Sequence, residues 1–195
     1  MGYVSTTNVT PEAQQAAISE ALYRVMRERG VQGLTLRAVA AEAGCTTGLV
    51  TARFPNKRAL VIHARNLMHD RTMAAVLDVE MSELDAQESL RAALRGSLFG
   101  EGFDGRVWVG FIAAAVVDDQ IRAVQVASNR SFLNRVSQLL SAARPHFSSD
   151  VVEERATKLV VLMAGLAVLS TTDAAHYSLA RLQGILDDAL TDALS

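Results

Sequence analysis

The sequence predicts an all-α chain in which a small helix-turn-helix head, residues 10–56, precedes a larger helical body, residues 57–195. Three observations predict it. Half of the 195 residues are hydrophobic, Ala and Leu foremost, with few aromatics and only three prolines, a composition that favours helices. Apolar positions recur three and four residues apart, and no stretch alternates as a strand would. The stripes stop and restart at Gly, Ser, Thr, Asn and Asp, the residues that begin and end helices.

Residues 1–9 are small and polar and are expected to be flexible. "TPEA" then starts a helix, with Thr10 as N-cap and Pro11 in the first turn. Ile18, Ala21, Leu22, Val25 and Met26 share one face, and Gly30 ends the helix after Arg27 and Arg29. Thr35 caps a second helix with the stripe Leu36, Val39, Ala40 and Ala43, stopped by Gly44. A third runs from Thr46 or Thr47 to about Arg53. "FPNK" interrupts it, and Asn56 caps a fourth from Lys57 to about Met81, with Leu60, Val61, Ala64, Leu67 and Met68 inward.

The body continues with a helix from about Asp85 to Leu98 and a glycine-rich break, "FGEGFDG". Asp104 caps the helix of Trp108, Phe111, Ile112 and Val116, and another runs from "DDQ" to about Ala143. After the loop "RPHFSSD", Ser149 or Asp150 caps a helix, and Asp150 and Glu153 have capping-box spacing. That helix is apolar nearly all round from Leu159 to Leu169, so it is expected to be covered on every side. The last helix carries Leu179, Leu182, Leu186, Ala189 and Leu190 on one stripe.

The net charge of −2 hides an asymmetry: residues 1–65 carry a net +4 and the remainder a net −6. A positive front on an acidic body suits a polyanion approached by the front alone, although halves of a chain also differ by chance. One cysteine excludes an internal disulfide framework and fits a reducing cytoplasm. No signal peptide is expected, and the apolar run from Leu159 to Ser170 falls short of the ~20 residues that span a bilayer, so no membrane is implied.

"LTLRAVAAEAGCTTGLVTARF", Leu34 to Phe54, carries the functional signal. Two short helices joined at a glycine are the sequence form of a helix-turn-helix. Ala40 is small where the helices cross, Gly44 is the turn, and Cys45 and Val50 hold the second helix on the first. Thr46, Thr47, Thr51 and Arg53 then fall outward, where hydroxyls and a guanidinium suit phosphates and base edges. An ordinary helical hairpin with a polar outer face has the same generic pattern. Cys45 reads as a small buried hydrophobe; as a redox switch it lacks a resolving partner.

The flanks narrow the choice. From Ala16 to Ala64, "LTLRAVA", "AEAG", a glycine in the recognition helix and "FPNK" occur in an order and spacing that resemble the N-terminal domain of TetR-family transcriptional regulators. The resemblance implies a three-helix DNA-binding head joined by the fourth helix to a ligand-binding body. It implies that Thr35 caps near phosphate, that Arg37 reaches DNA, that Thr46 and Thr47 open the recognition helix with Thr47 nearest the bases, that Gly48 admits close backbone approach, and that Lys57 contacts phosphate. Thr51 stands where the family usually has tyrosine, and Arg53 where it has histidine or tyrosine. The lost phenol weakens the contact expected of Thr51, and Arg53 is expected to compensate by charge.

From Arg106 to Leu140, "RVWVGF" and the acidic break that follows resemble the C-terminal domain of the BetI-like branch of the same family. The resemblance fixes no particular ligand. Phe99, Phe103, Trp108, Phe111 and Phe132 either line an effector cavity or fill the core, and Arg106 and Asp118 are either its polar anchors or solvent-exposed. The glycines from Phe99 to Gly105 form either a mobile entrance or a plain loop. Leu162, Leu166, Leu179, Leu182, Leu186 and Leu190 of the last two helices pack either within one chain or, as the resemblance favours, across a two-fold axis.

These readings converge on a homodimeric, sequence-specific transcriptional regulator, a cytoplasmic repressor released from a palindromic DNA operator by an unknown small-molecule effector. No cofactor or metal is implied. A helical enzyme is the first alternative; His63 and His69 lie six apart, off the i, i+4 spacing of a metal pair, and no nucleophile elbow or phosphate loop occurs. An effectorless structural or interaction protein is the second.

Overall fold

The computed structural model describes residues 10–101 and 103–195. The flexible tail expected for residues 1–9, and Gly102 of the glycine-rich break, lie outside the described residues. Among these residues the regular structure is helical throughout: α1 Pro11–Gly33, α2 Leu36–Glu42, α3 Thr47–Arg53, α4 Lys57–Glu80, α5 Ala86–Phe99, α6 Gly105–Val117, α7 Asp119–Ala143, α8 Ser149–Thr172 and α9 Leu179–Ala193. The chain divides into two compact units, one ending at Ala64 and the other spanning Arg65–Ser195, with the division inside α4.

In the first unit the helix starts are local chemistry. Thr10, Thr35 and Thr46 each accept a bond from the backbone N–H three residues on, at 3.2, 3.0 and 3.3 Å, satisfying a donor the helix itself leaves unpaired. Asn56 does the same for Ala59 at 3.0 Å. Gly30 breaks α1 with φ 64° and ψ −177°, although one further turn extends to Gly33. Ile18, Leu22, Met26, Leu34, Val39, Val50 and Leu60 close a core between these short helices.

The α2–α3 turn is a Schellman closure. The N–H of Cys45 donates to Ala40 O at 3.0 Å and that of Gly44 to Ala41 O at 3.3 Å, the 6→1 and 5→2 pair that satisfies the last carbonyls of a helix. Gly44 takes φ 64° there, a left-handed conformation that costs a residue with a Cβ roughly 1–2 kcal/mol.

In the second unit α7 packs on α5, α6 and α8, and α9 packs on α8 and α5. Leu90, Leu94, Leu140, Leu159, Leu186 and Leu190 lie at the centre of one apolar cluster, all at most 2 % exposed. At the edge the Arg95 guanidinium grips Asp187 with two bonds, 2.7 and 2.5 Å, tying α5 to α9. Arg144 and Arg155 hold the carbonyls of Leu194 and Ala193 at 2.5 and 2.9 Å.

Three expectations change. Ser148, rather than Ser149 or Asp150, caps α8 by accepting from Val151 N. α8 is not covered on every side within one chain: Val161 is 65 % and Val168 38 % exposed, with Gly165 exposed between them. By length and composition it passes for a membrane-crossing helix, yet Ala156, Leu159, Met163 and Leu166 are buried as a core helix's inner face. The leucines expected at a dimer face pack inside the chain: Leu166, Leu182, Leu186 and Leu190 are buried in the core, Leu162 is half-buried, and Leu179 alone is exposed. A period of 3.6 marks a face that must be covered, and here α5 and α8 cover it.

Leu186→Ala is therefore expected to cost about 2–5 kcal/mol of unfolding free energy, seen as a lower urea midpoint at unchanged slope. A loss under about 0.5 kcal/mol would mean that the side chain is not a core element.

Candidate nucleic-acid interface and ligand cavity

Of the residues assigned to the outer surface of the head, Thr35, Arg37, Thr46, Thr47, Gly48, Thr51 and Lys57 are exposed and Arg53 is half-buried. The turn at Gly44 presents the start of α3, because Val50, wholly buried, seats the helix from below. Thr35 and Thr46 use an oxygen lone pair in capping, so each keeps its hydroxyl proton for an outside acceptor such as phosphate. Thr47 follows Thr46 in the first turn. Gly48 faces open space: a Cβ there would meet only Thr46 Oγ1, at 3.9 Å. Its lack of a side chain is therefore no requirement of the head's own packing.

Two positions behave differently from the rest. Thr51 donates its proton to Thr47 O at 2.9 Å, within its own helix. Arg53 donates from Nη1 to Gln15 Oε1 and from Nη2 to Pro11 O at 3.3 Å. It fastens the end of α3 to the first turn of α1. Its charge is thus held by a structural clasp. Lys57 donates to Gln32 O at 3.0 Å and has two further protons. Cys45 is half-buried and forms no disulfide. His63 is bonded to Ser19 Oγ at 2.7 Å and lies tilted against the Phe54 ring, centroids 4.9 Å apart, a packing role. Among the described residues no group of His, Cys, Asp and Glu could hold a metal ion.

The second unit carries a half-open cavity of about 360 Å³. Phe103, Trp108 and Phe132 stand on its wall. Phe99, half-buried, and Phe111, fully buried, do not; Phe111 is core. Arg106 is exposed, and Asp118 caps α7 by accepting from Gln120 N and Ile121 N, so neither anchors a ligand there.

The polar wall residue that sequence reasoning missed is Arg65. It is only 6 % exposed, and burial lowers its pKa to about 10. Among the described residues its hydrogen-bond partner is a neutral amide: Nε donates to Gln125 Oε1 at 2.7 Å. Gln125, itself buried, donates from Nε2 to Asn129 Oδ1 at 2.6 Å. His69, one turn beyond Arg65, also lines the cavity. Burial lowers its pKa, the Arg65 charge adds to that, and Asp70 opposes. The signal was present in the sequence, since Arg65 lies between Val61 and Met68 on the inward stripe of α4.

Residues 18–64 match the family of bacterial regulatory proteins of tetR type, and residues 86–195 match the BetI-type transcriptional repressor C-terminal family. The chain belongs to the TetR family. It is a DNA-binding transcriptional regulator with a BetI-type body. The HTH-type transcriptional regulator BetI of Vibrio atlanticus is 20% identical over 190 residues, 95% of this chain and 94% of that one. BetI of Paraburkholderia xenovorans is 25% identical over 159 residues, 80% of each. Among solved structures, a regulator from Saccharomonospora viridis in complex with choline has a TM-score of 0.80 at 20% identity, covering 93% of this chain and 97% of that one. The SmeT–triclosan complex has a TM-score of 0.73 at 23% identity, covering 93% and 90%. Such likeness gives the fold; the tetR-type match, residues 18–64, falls on α1–α3 and the first turns of α4.

Two outcomes follow. Gly48→Ala is expected to leave thermal stability unchanged or raise it by up to about 1 kcal/mol, since alanine is the better helix former. It should weaken specific DNA binding by roughly ten-fold or more in a titration by fluorescence anisotropy; full affinity would show that DNA does not approach the backbone there. For His69, the folded pKa lies below the ordinary 6.5. The unfolded chain therefore takes up the proton first, and stability is lost as pH falls from 6.5 through the lowered value. His69→Gln should shrink the drop in melting temperature between pH 7 and 5; an unchanged drop would exclude this histidine as its source.

Proposed function

We propose that the protein is a homodimeric repressor which binds a palindromic operator through two copies of α3 and leaves it when a small molecule enters the cavity of the body. The observation that carries this reading is the pairing of an exposed α3 start, Thr46 to Gly48, with a separate cavity in the second unit. Thr35, Arg37, Thr46 and Lys57 supply phosphate contacts, and Thr47 reaches base edges beside the bare backbone of Gly48. The charge of Arg53 acts from its clasp on α1 and replaces the missing tyrosine only in part. Regulators of similar fold hold choline and triclosan, which supports a small-molecule role for the cavity here. DNA as the partner implies work in the cytoplasm.

The dimer face moves from the leucine stripe to the outer face of α8. Val161, Gly165 and Val168 recur at i, i+4 and i+7 and are exposed, so a second copy can cover them through a two-fold axis. Helix α4 carries Lys57 at its start and Arg65, Met68, His69 and Thr72 on the cavity wall. A ligand that prefers one position of α4 therefore competes with DNA for it, and release requires that differential affinity.

Selection of bound sequences from random DNA at moderate salt tests the reading. The expected result is a palindrome occupied by two chains, with affinity falling steeply as salt rises. Val168→Glu should shift the protein to monomers in analytical ultracentrifugation and weaken operator binding while the isolated fold persists. Enrichment of no motif would sink the operator reading, and an intact dimer in Val168→Glu would move the interface elsewhere.

A further inference from the structure

The cavity carries a consistent electrostatic sign. Among the described residues the charged ones on its wall are Arg65 and Arg130, with His69 as the remaining titratable group, and none is an Asp or Glu. Arg65 is a buried cation held by a neutral amide. Burying a guanidinium without a carboxylate costs several kcal/mol relative to water, so this arrangement calls for an anion supplied from outside.

The hydrogen-bond chain sharpens the point. A guanidinium only donates, so Gln125 must turn its oxygen to Arg65, and its amide nitrogen then faces Asn129. Asn129 must in turn accept with Oδ1, as the 2.6 Å bond records. Its own amide nitrogen is left with two protons to give. Both ends of the chain, the remaining guanidinium protons of Arg65 and the Asn129 amide, are donors beside the same cavity. Two donor ends suit the two oxygens of one carboxylate. Met68, Leu98, Trp108, Phe132 and Leu133 give the wall an apolar part, beside the small hydroxyls of Thr72, Ser97 and Ser128.

We infer that the cavity takes an organic carboxylate, with its anionic group against Arg65 and the Asn129 amide and an apolar body in the aromatic part of the cavity. At about 30 Å³ for each water-sized group, 360 Å³ holds about a dozen non-hydrogen atoms. The inference rests on the reading of the cavity as the effector site. It separates this chain from the similar regulator that holds choline, a cation, for which this wall has no counter-charge.

The test uses the full-length protein and three probes sharing one apolar body: 4-phenylbutyrate, 4-phenylbutan-1-ol and 4-phenylbutylammonium. Binding is measured by calorimetry and by the fluorescence of Trp108, the chain's single tryptophan. The carboxylate should bind roughly ten- to hundred-fold more tightly than the alcohol, as expected for a hydrogen bond to a charged group, and the ammonium should bind most weakly. Arg65→Met should erase the preference, with folding checked by thermal unfolding. Asn129→Asp, at an exposed position, should reverse it by placing a carboxylate at the other end of the chain. Equal or tighter binding of the ammonium, a preference that survives Arg65→Met, or no binding by any of the three overturns the inference. Displacement of the selected operator is read separately. Carboxylate binding without DNA release defeats the effector mechanism and leaves the anion site standing; release by the ammonium alone does the reverse.

Discussion

The head depends on one turn. Two backbone bonds, Gly44 to Ala41 and Cys45 to Ala40, end α2 and fix the direction in which α3 departs. The turn needs a left-handed residue at its centre, and glycine takes φ 64° without strain. Once the direction is set, Val50 reaches the core and Thr46 reaches its capping position. Capping consumes a lone pair and spares the proton, so the same hydroxyl that starts the recognition helix can also meet phosphate. At the far end, Arg53 ties α3 to α1. A seven-residue helix has little stability of its own, and these fastenings explain how so short an element is held in place.

The body solves the opposite problem. Its leucines are satisfied by one another, and the apolar core demands nothing of a ligand. The exception is the line Arg65–Gln125–Asn129, in which every polar group is oriented by the donor-only character of the guanidinium. An apolar residue at position 65 would spare the desolvation cost, so the charge is better explained by recognition than by stability. Lowering of the Arg65 pKa to about 10 leaves the group a cation at neutral pH, and burial also pushes the pKa of neighbouring His69 down.

What the sequence made legible was local. Thr10, Thr35 and Asp104 name their helices because a side-chain oxygen three residues ahead of an orphan N–H is a nearly complete instruction. Ser148 was harder, since three polar residues in a row compete for one cap. Gly44 was readable because the conformation it takes is costly for other residues. The α9 stripe was readable as a stripe, but periodicity reports that a face is covered and not what covers it; α5 and α8 of the same chain do so. The cavity was only half legible. Phe103, Trp108 and Phe132 stand on its wall while Phe99 and Phe111 do not, because aromatic character does not distinguish a wall from a core. Arg65 escaped notice because arginines are read as solvent-facing by default, although its register on α4 already placed it inward.

That register has a consequence for control. Lys57 and Arg65 are eight residues apart in sequence on α4. In the proposed reading, DNA rewards whatever position of α4 brings Lys57 to a phosphate. The inferred anion rewards whatever position of α4 keeps Arg65 against the cavity, because the cation otherwise has only a neutral amide for a partner. The sign of regulation follows from whether these two rewards select the same position. If they differ, the ligand removes the protein from DNA; if they coincide, it holds the protein there. The proposed repressor released by its effector corresponds to the first case, and in it the coupling is stored in the cost of leaving Arg65 buried without an anion.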